Sequence, residues 1–250
     1  MKRILAIGNS FSEDATWYLH QILEAEGIEN QIVNLYIGGC PLEKHWRNME
    51  QNSHEYLLEY NGRKTDRYVS ISEALDMAEW DAVVTQQASH DSGWIETYEP
   101  FLGLMTDELR RRTKAQLWLH ETWAYAKDST HDCFMRYHRD QAEMYRKLRD
   151  NYYAMAEKYG MKLIRGGDLI QSLRGTARFA EDGGQIPICR DGFHMNYIYG
   201  RYALGCLWAQ TLCGAELKDG GYVPSTDYAP METADPAALK EIRDKVRELR

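Results

Sequence analysis

The sequence predicts an α/β fold in which helices cover both faces of a central parallel β-sheet. Short β-branched or apolar runs alternate along the chain with longer segments of helical periodicity, and this alternation is typical of parallel sheets with helical crossovers. The 250 residues contain no stretch with the Pro/Gly/Ser-rich or polar composition of a linker. We therefore expect a single domain over residues 1–250 with one core.

Five runs are predicted as strands of the parallel sheet, because each is short and rich in apolar or β-branched residues. They are residues 3–7, 31–36, 81–86, 115–120 and 161–165. Helical periodicity covers the segments near 14–26, 98–113, 133–159 and 196–213, and a charged last helix is expected over about 236–250. After the second strand, residues 56–71 hold two strand-like runs around Asn61 and Gly62, which predicts a small inserted hairpin.

The charge pattern argues against nucleic acid or a membrane as a partner. The net charge is −8, and acidic and basic residues are interspersed in stretches such as ELRRRTK and LKEIRDKVRELR, which is typical of solvated helix faces. No apolar run approaches the length of a signal peptide or a membrane span, so a cytoplasmic protein is expected.

The sequence shows neither a cofactor motif nor a disulfide framework. The first predicted turn, AIGNSFS, has one Gly and lacks both GxGxxG spacing and a Walker lysine, so no nucleotide cofactor is expected. The five cysteines form an odd set without CxxC spacing. This pattern favours reduced, mostly buried thiols over disulfides or a zinc site.

Ser10 is a candidate nucleophile because it follows the first predicted strand, in the segment IGNSFSEDA. Ligands bind at the carboxyl ends of strands in such sheets, and the N-terminus of the following helix favours developing negative charge there. Gly38 and Gly39 follow the second strand and should lie nearby. The alternatives are that Ser10 or Ser12 only caps the helix, and that the two glycines only form a tight turn.

The segment RDGFHMN supplies a candidate partner pair for Ser10, because Asp191 and His194 lie three residues apart in it. A nucleophilic serine needs a base within hydrogen-bond reach and a carboxylate that fixes the tautomer of that base. This spacing allows one local turn to hold both partners. The alternative is that Asp191 caps the next helix while His194 packs beside Phe193.

Four segments in chain order, GNSFS, IGGCPLEKHW, QQASHDSG and DGFH, resemble the sequence blocks of the SGNH (GDSL-like) hydrolase superfamily. The second and third are most similar to the sialate and xylan O-acetylesterase branch. The resemblance implies a flavodoxin-like three-layer α/β/α sandwich with a central parallel sheet of about five strands. It also implies a serine esterase without a cofactor, in which Ser10 attacks, His194 is the base and Asp191 orients it. The implied substrate is a small acyl ester, O-acetyl above all, of a carbohydrate or a related small molecule.

The resemblance also implies an oxyanion hole made by the backbone N–H groups of Ser10 and Gly39 and a side-chain amide. The third block lacks the Gly-x-Asn-Asp of the superfamily, so the amide role falls on Gln87, with Gln86 as the rival. Loss of one such donor commonly costs about a hundredfold in turnover. Asn9 stands where many members carry Asp, a position outside the triad.

Further polar and aromatic side chains follow the predicted strand ends and are candidates for binding substrate, because aromatic faces suit the apolar face of a sugar ring. For each aromatic residue, ordinary packing is the alternative. The candidates are Gln86, Trp46, Trp94, His120 and Trp123.

Two other functions remain open from the sequence. The first is metal-dependent hydrolysis, although the candidate ligands lack HExxH or comparable spacing, and no metal is expected. These ligands are His90, Asp91, His120, Glu121, His131, Asp132 and His138. The second is a non-catalytic carbohydrate-binding module that keeps the fold without the chemistry.

Overall fold

The computed structural model describes residues 1–226 and 233–249, and within these residues seven strands form one sheet. Across the sheet the strand order is β4-β3-β2-β1-β5-β6-β7, and β2, β1, β5, β6 and β7 run parallel. These five correspond to the five predicted runs, so the predicted α/β class with a parallel centre is confirmed. The strands are β1 (Lys2–Gly8), β2 (Asn30–Tyr36), β3 (Tyr56–Tyr60), β4 (Arg63–Val69), β5 (Ala82–Thr85), β6 (Gln116–His120) and β7 (Lys162–Ile164).

The inserted hairpin consists of β3 and β4 and extends the sheet, because β3 pairs antiparallel with β2. Its turn residues Asn61 and Gly62 have φ angles of 50° and 74°, as a two-residue turn with the twist of a hairpin requires. The Asn61 side chain also accepts a hydrogen bond from the Ile32 backbone N–H at 2.9 Å. A Cβ on Gly62 would lie 2.1 Å from the carbonyl oxygen of Trp17, so only glycine fits this turn.

Two sets of mutually packed helices flank the sheet. The set α1, α2, α7 and α9 packs around α8, which is therefore buried on nearly all sides, while α3 packs with α4 and α5. The helices are α1 (Ser10–Thr16), α2 (Leu19–Ala25), α3 (Leu42–Gln51), α4 (Ile71–Asp76), α5 (Phe101–Arg112), α6 (Gln141–Lys158), α7 (Gly166–Arg174), α8 (Tyr199–Cys213) and α9 (Pro236–Glu248). No helix in the described ranges is long and apolar enough to span a bilayer.

Several helix boundaries differ from the sequence-based prediction. The single helix expected near 14–26 is two short helices, α1 and α2, separated at Trp17 and Tyr18. The segment 133–159 begins with a 3₁₀ helix over Asp132–Tyr137 before α6 starts. The periodicity did not indicate α3, α4 or α7, because helices of six to ten residues contain few repeats of the 3.6-residue pattern.

The buried apolar side chains of the central strands and of α8 belong to one continuous cluster. All five cysteines are free thiols, and three of them, Cys40, Cys189 and Cys206, are buried. The single domain over residues 1–250 stays a prediction, since residues 227–232 and 250 lie outside the described residues.

Candidate active site

A cleft of about 240 Å³ lies at the carboxyl end of β1, β2 and β5. Its walls come from the turn after β1, from Tyr36 and Gly38–Gly39 at the end of β2, and from residues 88–90 after β5. His131, Phe193 and His194 close it from two loops. Segments that are far apart in the sequence thus meet at this edge of the sheet.

The side chains of Ser10, His194 and Asp191 form a continuous chain of hydrogen bonds in this cleft. His194 Nε2 lies 2.9 Å from Ser10 Oγ, and His194 Nδ1 lies 2.7 Å from Asp191 Oδ2. Both distances are within the range of strong hydrogen bonds. The structure therefore brings together the three residues that were predicted as nucleophile, base and orienting carboxylate.

Asp191 determines the tautomer of His194 through a local turn. Its Oδ1 accepts the backbone N–H groups of Phe193 and His194 at 3.2 and 2.7 Å, and its Oδ2 faces the ring. Burial alone would raise the pKa of this carboxyl, but the hydrogen bonds from the ring and backbone of His194 hold it below its ordinary value. The ionised carboxylate accepts a hydrogen bond from Nδ1–H, so Nε2 carries no proton and can accept the Ser10 hydroxyl proton.

Asn9 caps α1, which decides between the alternatives for the two serines. Its side-chain oxygen accepts the N–H of Phe11 at 3.0 Å. The Ser12 hydroxyl donates back to the Asn9 carbonyl oxygen at 2.8 Å. Because the capping role is filled by Asn9, the Ser10 side chain at the first helical position is free to meet His194.

The cap of α8 decides between the alternatives for the Asp191 and His194 pair. The N–H groups of Ile198 and Tyr199, where α8 begins, donate to the side-chain oxygen of Asn196. Asp191 therefore caps its own turn and not the helix. His194 does pack beside Phe193, with ring centroids 4.2 Å apart, while it keeps its hydrogen bonds.

A fully buried carboxylate, Asp14, ties α1 to the loop that carries the pair. Arg190 and Arg201 contact Asp14 Oδ1 at 3.0 and 2.7 Å, and the Met195 backbone N–H donates to Oδ2 at 2.9 Å. Arg190 also donates to the Met195 carbonyl oxygen. The helix of the nucleophile and the loop of the base are thus fastened to each other one turn away from Ser10.

Gly39 lies on the cleft wall with a φ angle of 61°, a left-handed conformation that favours glycine. Gly39 therefore has the positive φ that a tight turn requires, and the same conformation is compatible with a backbone N–H at the cleft. A Cβ at Gly39 would meet nothing within 4 Å. Backbone conformation, and not close packing, requires glycine here.

The oxyanion role predicted for Gln87 does not fit its position, because both ends of its amide are used by the scaffold. Its Nε2 donates to the carbonyl oxygen and the hydroxyl of Thr97, at 2.9 and 3.1 Å. Its Oε1 accepts the N–H of Leu42 at 2.9 Å and that of Ala88 at 2.8 Å. Gln87 instead joins β5 to the start of α3, and the cleft is lined by residues 88–90 and not by Gln87.

Replacement of Gln87 by alanine should destabilise the fold and not act selectively on turnover. The variant leaves the buried N–H of Leu42 without its acceptor, and a buried unsatisfied group costs about 1–3 kcal/mol. Urea unfolding measures this loss. A variant with wild-type stability and turnover about a hundredfold lower would restore the oxyanion role of this side chain.

Gln86 and His120 form a second chain of hydrogen bonds within the scaffold and do not face the cleft. His120 Nδ1 lies 3.0 Å from Gln86 Oε1, and Gln86 Nε2 donates to Asn9 Oδ1 at 2.8 Å. Burial lowers the pKa of His120 to about 3, so the ring is neutral and donates from Nδ1. The predicted substrate-binding role of both residues is therefore corrected: they hold the cap of α1 in place.

The three predicted substrate tryptophans also lie away from the cleft wall. Trp123 is fully buried, stacks on Phe11 with centroids 4.1 Å apart and donates its indole N–H to the Phe193 carbonyl oxygen at 2.7 Å. Trp94 packs against Tyr137, and Trp46 packs partly buried on the core from α3. Ordinary packing, the alternative interpretation, describes all three.

The cleft contains side chains that the sequence analysis did not assign to it. Phe193 and His131 meet edge to face with centroids 4.8 Å apart, and His90 lies 6.4 Å from His131. His90 belongs to the third sequence block, which was a usable signal, but His131 comes from a loop after β6 without any motif. Tyr36 at the end of β2 completes this wall.

The described residues hold no group of three or more His, Cys, Asp or Glu side chains placed to bind a metal ion. Of the residues considered as ligands, His138 is exposed on a different surface and pairs with Glu143. Glu121 accepts the backbone N–H of Asp168 at 3.0 Å. Burial, with the nearby Asp168 carboxylate, raises the pKa of Glu121 to about 8.

Comparison with known proteins identifies a family and a fold. The family described as "Domain of unknown function (DUF4886)" matches residues 3–238. The crystal structure of a DUF4886 family protein from Bacteroides uniformis is 34% identical, with a TM-score of 0.88 over 99% of this chain and 93% of that chain. Among curated proteins, no sequence matches this chain.

More distant structures are SGNH and GDSL-type hydrolases. An SGNH hydrolase candidate from Slackia heliotrinireducens is 19% identical, with a TM-score of 0.58 over 84% of this chain and 98% of that chain. A catalytic mutant of an acetylxylan esterase from Geobacillus stearothermophilus is 12% identical, with a TM-score of 0.58 over 90% and 97% of the two chains. These similarities show a shared fold, and the flavodoxin-like sandwich predicted from the sequence blocks is confirmed.

Proposed function

This chain belongs to the DUF4886 family, and we propose that it is a serine hydrolase that cleaves small acyl esters through Ser10, His194 and Asp191. The observation that carries the proposal is the chain of hydrogen bonds from Ser10 Oγ through both ring nitrogens of His194 to Asp191. A serine, an imidazole and a carboxylate in this order and at these distances are the parts that acyl transfer requires.

The proposed reaction has two halves. His194 Nε2 takes the hydroxyl proton as Ser10 Oγ bonds to the ester carbonyl carbon, and Asp191 stabilises the imidazolium. The tetrahedral intermediate then collapses to an acyl-serine, and His194 returns the proton to the departing alcohol. In the second half His194 takes a proton from the water that attacks the acyl-serine, and it returns this proton to Ser10 Oγ as the intermediate collapses and releases the acid.

We propose the backbone N–H groups of Ser10 and Gly39 as donors to the oxyanion. Both residues line the cleft, and the N-terminal end of α1 adds a partial positive charge beside Ser10. Gln87 is committed to the scaffold and the Ala88 N–H donates to its Oε1, so we propose the third donor from the cleft-lining residues Ser89 and His90.

The small cleft favours a short acyl group. Pockets that hold drug-sized ligands usually measure about 300–1,000 Å³, and this cleft of about 240 Å³ is smaller. An acetyl group fits such a space, whereas a long fatty acyl chain does not. The acetylxylan esterase of the same fold supports a carbohydrate as the alcohol half.

The proposal is tested by p-nitrophenyl esters of acetate, butyrate and octanoate together with labelling by a fluorophosphonate. We expect acetate to exceed octanoate by about tenfold or more in kcat/KM, since acyl-pocket mismatches of this kind are worth that much. Mass spectrometry should find the adduct on Ser10 in the wild type and in Ser12→Ala, which alters a neighbouring hydroxyl that does not meet His194.

Two outcomes would contradict this assignment. Hydrolysis that a chelator abolishes, without an adduct on Ser10, would favour a metal-dependent hydrolase. The absence of both hydrolysis and adduct would favour a non-catalytic binding module.

A further inference from the structure

A second cavity of about 530 Å³ lies beside the Ser10 cleft and is formed by residues 126–130 and 180–192. The two spaces share their walls along two stretches of chain. Thr130 lines the second cavity and His131 lines the cleft, while Gly192 lines the second cavity and Phe193 lines the cleft. The two linings therefore adjoin in the chain at His131 and Phe193, whose rings meet edge to face.

The sizes of the two spaces suit the two different halves of an ester substrate. The cleft of about 240 Å³ lies below the usual range of small-molecule sites, whereas 530 Å³ lies within it. An ester whose acyl group occupies the cleft can extend its alcohol half past the His131 and Phe193 pair into the larger space. Asp191, the orienting carboxylate, stands on the wall of the second cavity.

The charges on this wall decide which alcohol it accepts. Four carboxylates line the cavity, namely Asp128, Glu181, Asp182 and Asp191. The two cations on the wall are already paired, because Lys127 meets Asp182 and Arg190 meets Asp14. Glu181 is paired with the buried Arg174, so among the described residues Asp128 and Asp191 are the wall carboxylates without a Lys or Arg partner. An anionic ligand would meet an excess of negative charge without an available cation, whereas hydroxyl groups can donate to carboxylates.

The pair between the two spaces suits a sugar ring. Phe193 offers an apolar ring face of the kind that packs on sugar C–H groups. His131 lines the cleft, and its Nδ1 accepts the N–H of Cys133 at 3.1 Å, so the Nε2–H remains as a hydrogen-bond donor. Burial and the neighbouring His90 keep the pKa of His131 below its ordinary value, so the ring is neutral.

We propose that this cavity, together with His131 and Phe193, binds the alcohol half of the substrate, and that this alcohol is a neutral oligosaccharide and not an acidic sugar or a lipid alcohol. The proposal rests on the proposed esterase function of the adjacent Ser10. It adds to that function a second binding site and a charge preference.

A cavity-filling variant tests the site. Thr130 is exposed on the cavity wall, so Thr130→Trp places an indole in the space without disturbing the core. The matched control is Ala177→Trp, which adds the same ring at an exposed position of a nearby loop outside the wall. The measured quantity is the ratio of kcat/KM for an acetylated neutral xylotetraose to that for p-nitrophenyl acetate. We expect this ratio to fall about tenfold or more in Thr130→Trp and to stay at the wild-type value in Ala177→Trp.

A charge reversal supplies the second variant. The wild type should use the acetylated neutral sugar in preference to an O-acetylated sialic acid, and Asp128→Lys should shift this preference toward the acidic sugar by several-fold. Three outcomes would overturn the proposed site while p-nitrophenyl acetate is still hydrolysed. They are equal use of both sugar esters by the wild type, a preference for acetylcholine, which is the ester of a cationic alcohol, and an unchanged ratio in Thr130→Trp. A wild type that hydrolyses none of these esters and forms no Ser10 adduct would overturn the esterase function itself, and this site with it.

Discussion

Ser10→Ala and His194→Ala are each expected to lower kcat for p-nitrophenyl acetate by about 10⁴-fold or more, and the double variant is expected to lose little beyond either single variant. The reason is that the two side chains act as one unit. The Ser10 hydroxyl is a weak nucleophile unless Nε2, 2.9 Å away, takes its proton, and the imidazole has no other reacting group to serve. Removing one member therefore removes the contribution of the other.

The measurement is steady-state hydrolysis by the two single variants and the double variant, with Ser12→Ala as the control for a serine on the same helix. Far-ultraviolet circular dichroism shows whether the variants keep the fold. Losses that multiply in the double variant would mean that Ser10 and His194 contribute independently. A Ser10→Ala variant that retains wild-type turnover would place the nucleophile elsewhere.

The parallel sheet could be predicted from the sequence because its strands are buried on both faces and read as short apolar runs. Residues 4–8 of β1 are all buried, and so are all four residues of β5. The short helices could not be predicted in the same way. The start of α4, for instance, depends on a capping box between Ser70 and Glu73, which involves two residues and produces no periodicity.

In the candidate site, too, some residues could be predicted from the sequence and others could not. Ser10, Asp191 and His194 could be found because each hydrogen-bonding partner is implied by local spacing or by the end of a strand. Gln86, Gln87 and His120 were also placed at strand ends, but the direction of a side chain depends on its tertiary partners. Those partners include Asn9, 77 residues from Gln86, and Leu42, 45 residues from Gln87. His131 was missed for the corresponding reason, since it reaches the cleft from a loop without a motif.

Asp14 shows most directly what only the tertiary structure reveals. In the sequence Asp14 lies four residues after Ser10 and Arg190 directly precedes Asp191, and neither position indicates a contact between the two. In the structure the Asp14 carboxylate is fully buried and receives Arg190, Arg201 and the Met195 N–H. Arg201 is itself buried and also packs over the Trp17 ring, with its guanidinium carbon 4.0 Å from the ring centroid. Because the Asp14 carboxylate is buried, water cannot take the place of these partners.

Asp14→Ala is expected to lower the free energy of unfolding by about 3–5 kcal/mol, because removal of one partner leaves a buried charge uncompensated. Urea unfolding measures the loss, and Lys240→Ala, which breaks an exposed ion pair on α9, should leave stability nearly unchanged. Asp14→Asn keeps the acceptor for the Met195 N–H but not the charge, so its loss should be smaller. If the contact also positions His194, the fluorophosphonate labelling rate of Ser10 in the folded Asp14→Asn variant should fall below the wild-type rate. A wild-type labelling rate would restrict Asp14 to stability, and wild-type stability of Asp14→Ala would show that the two arginines find other partners.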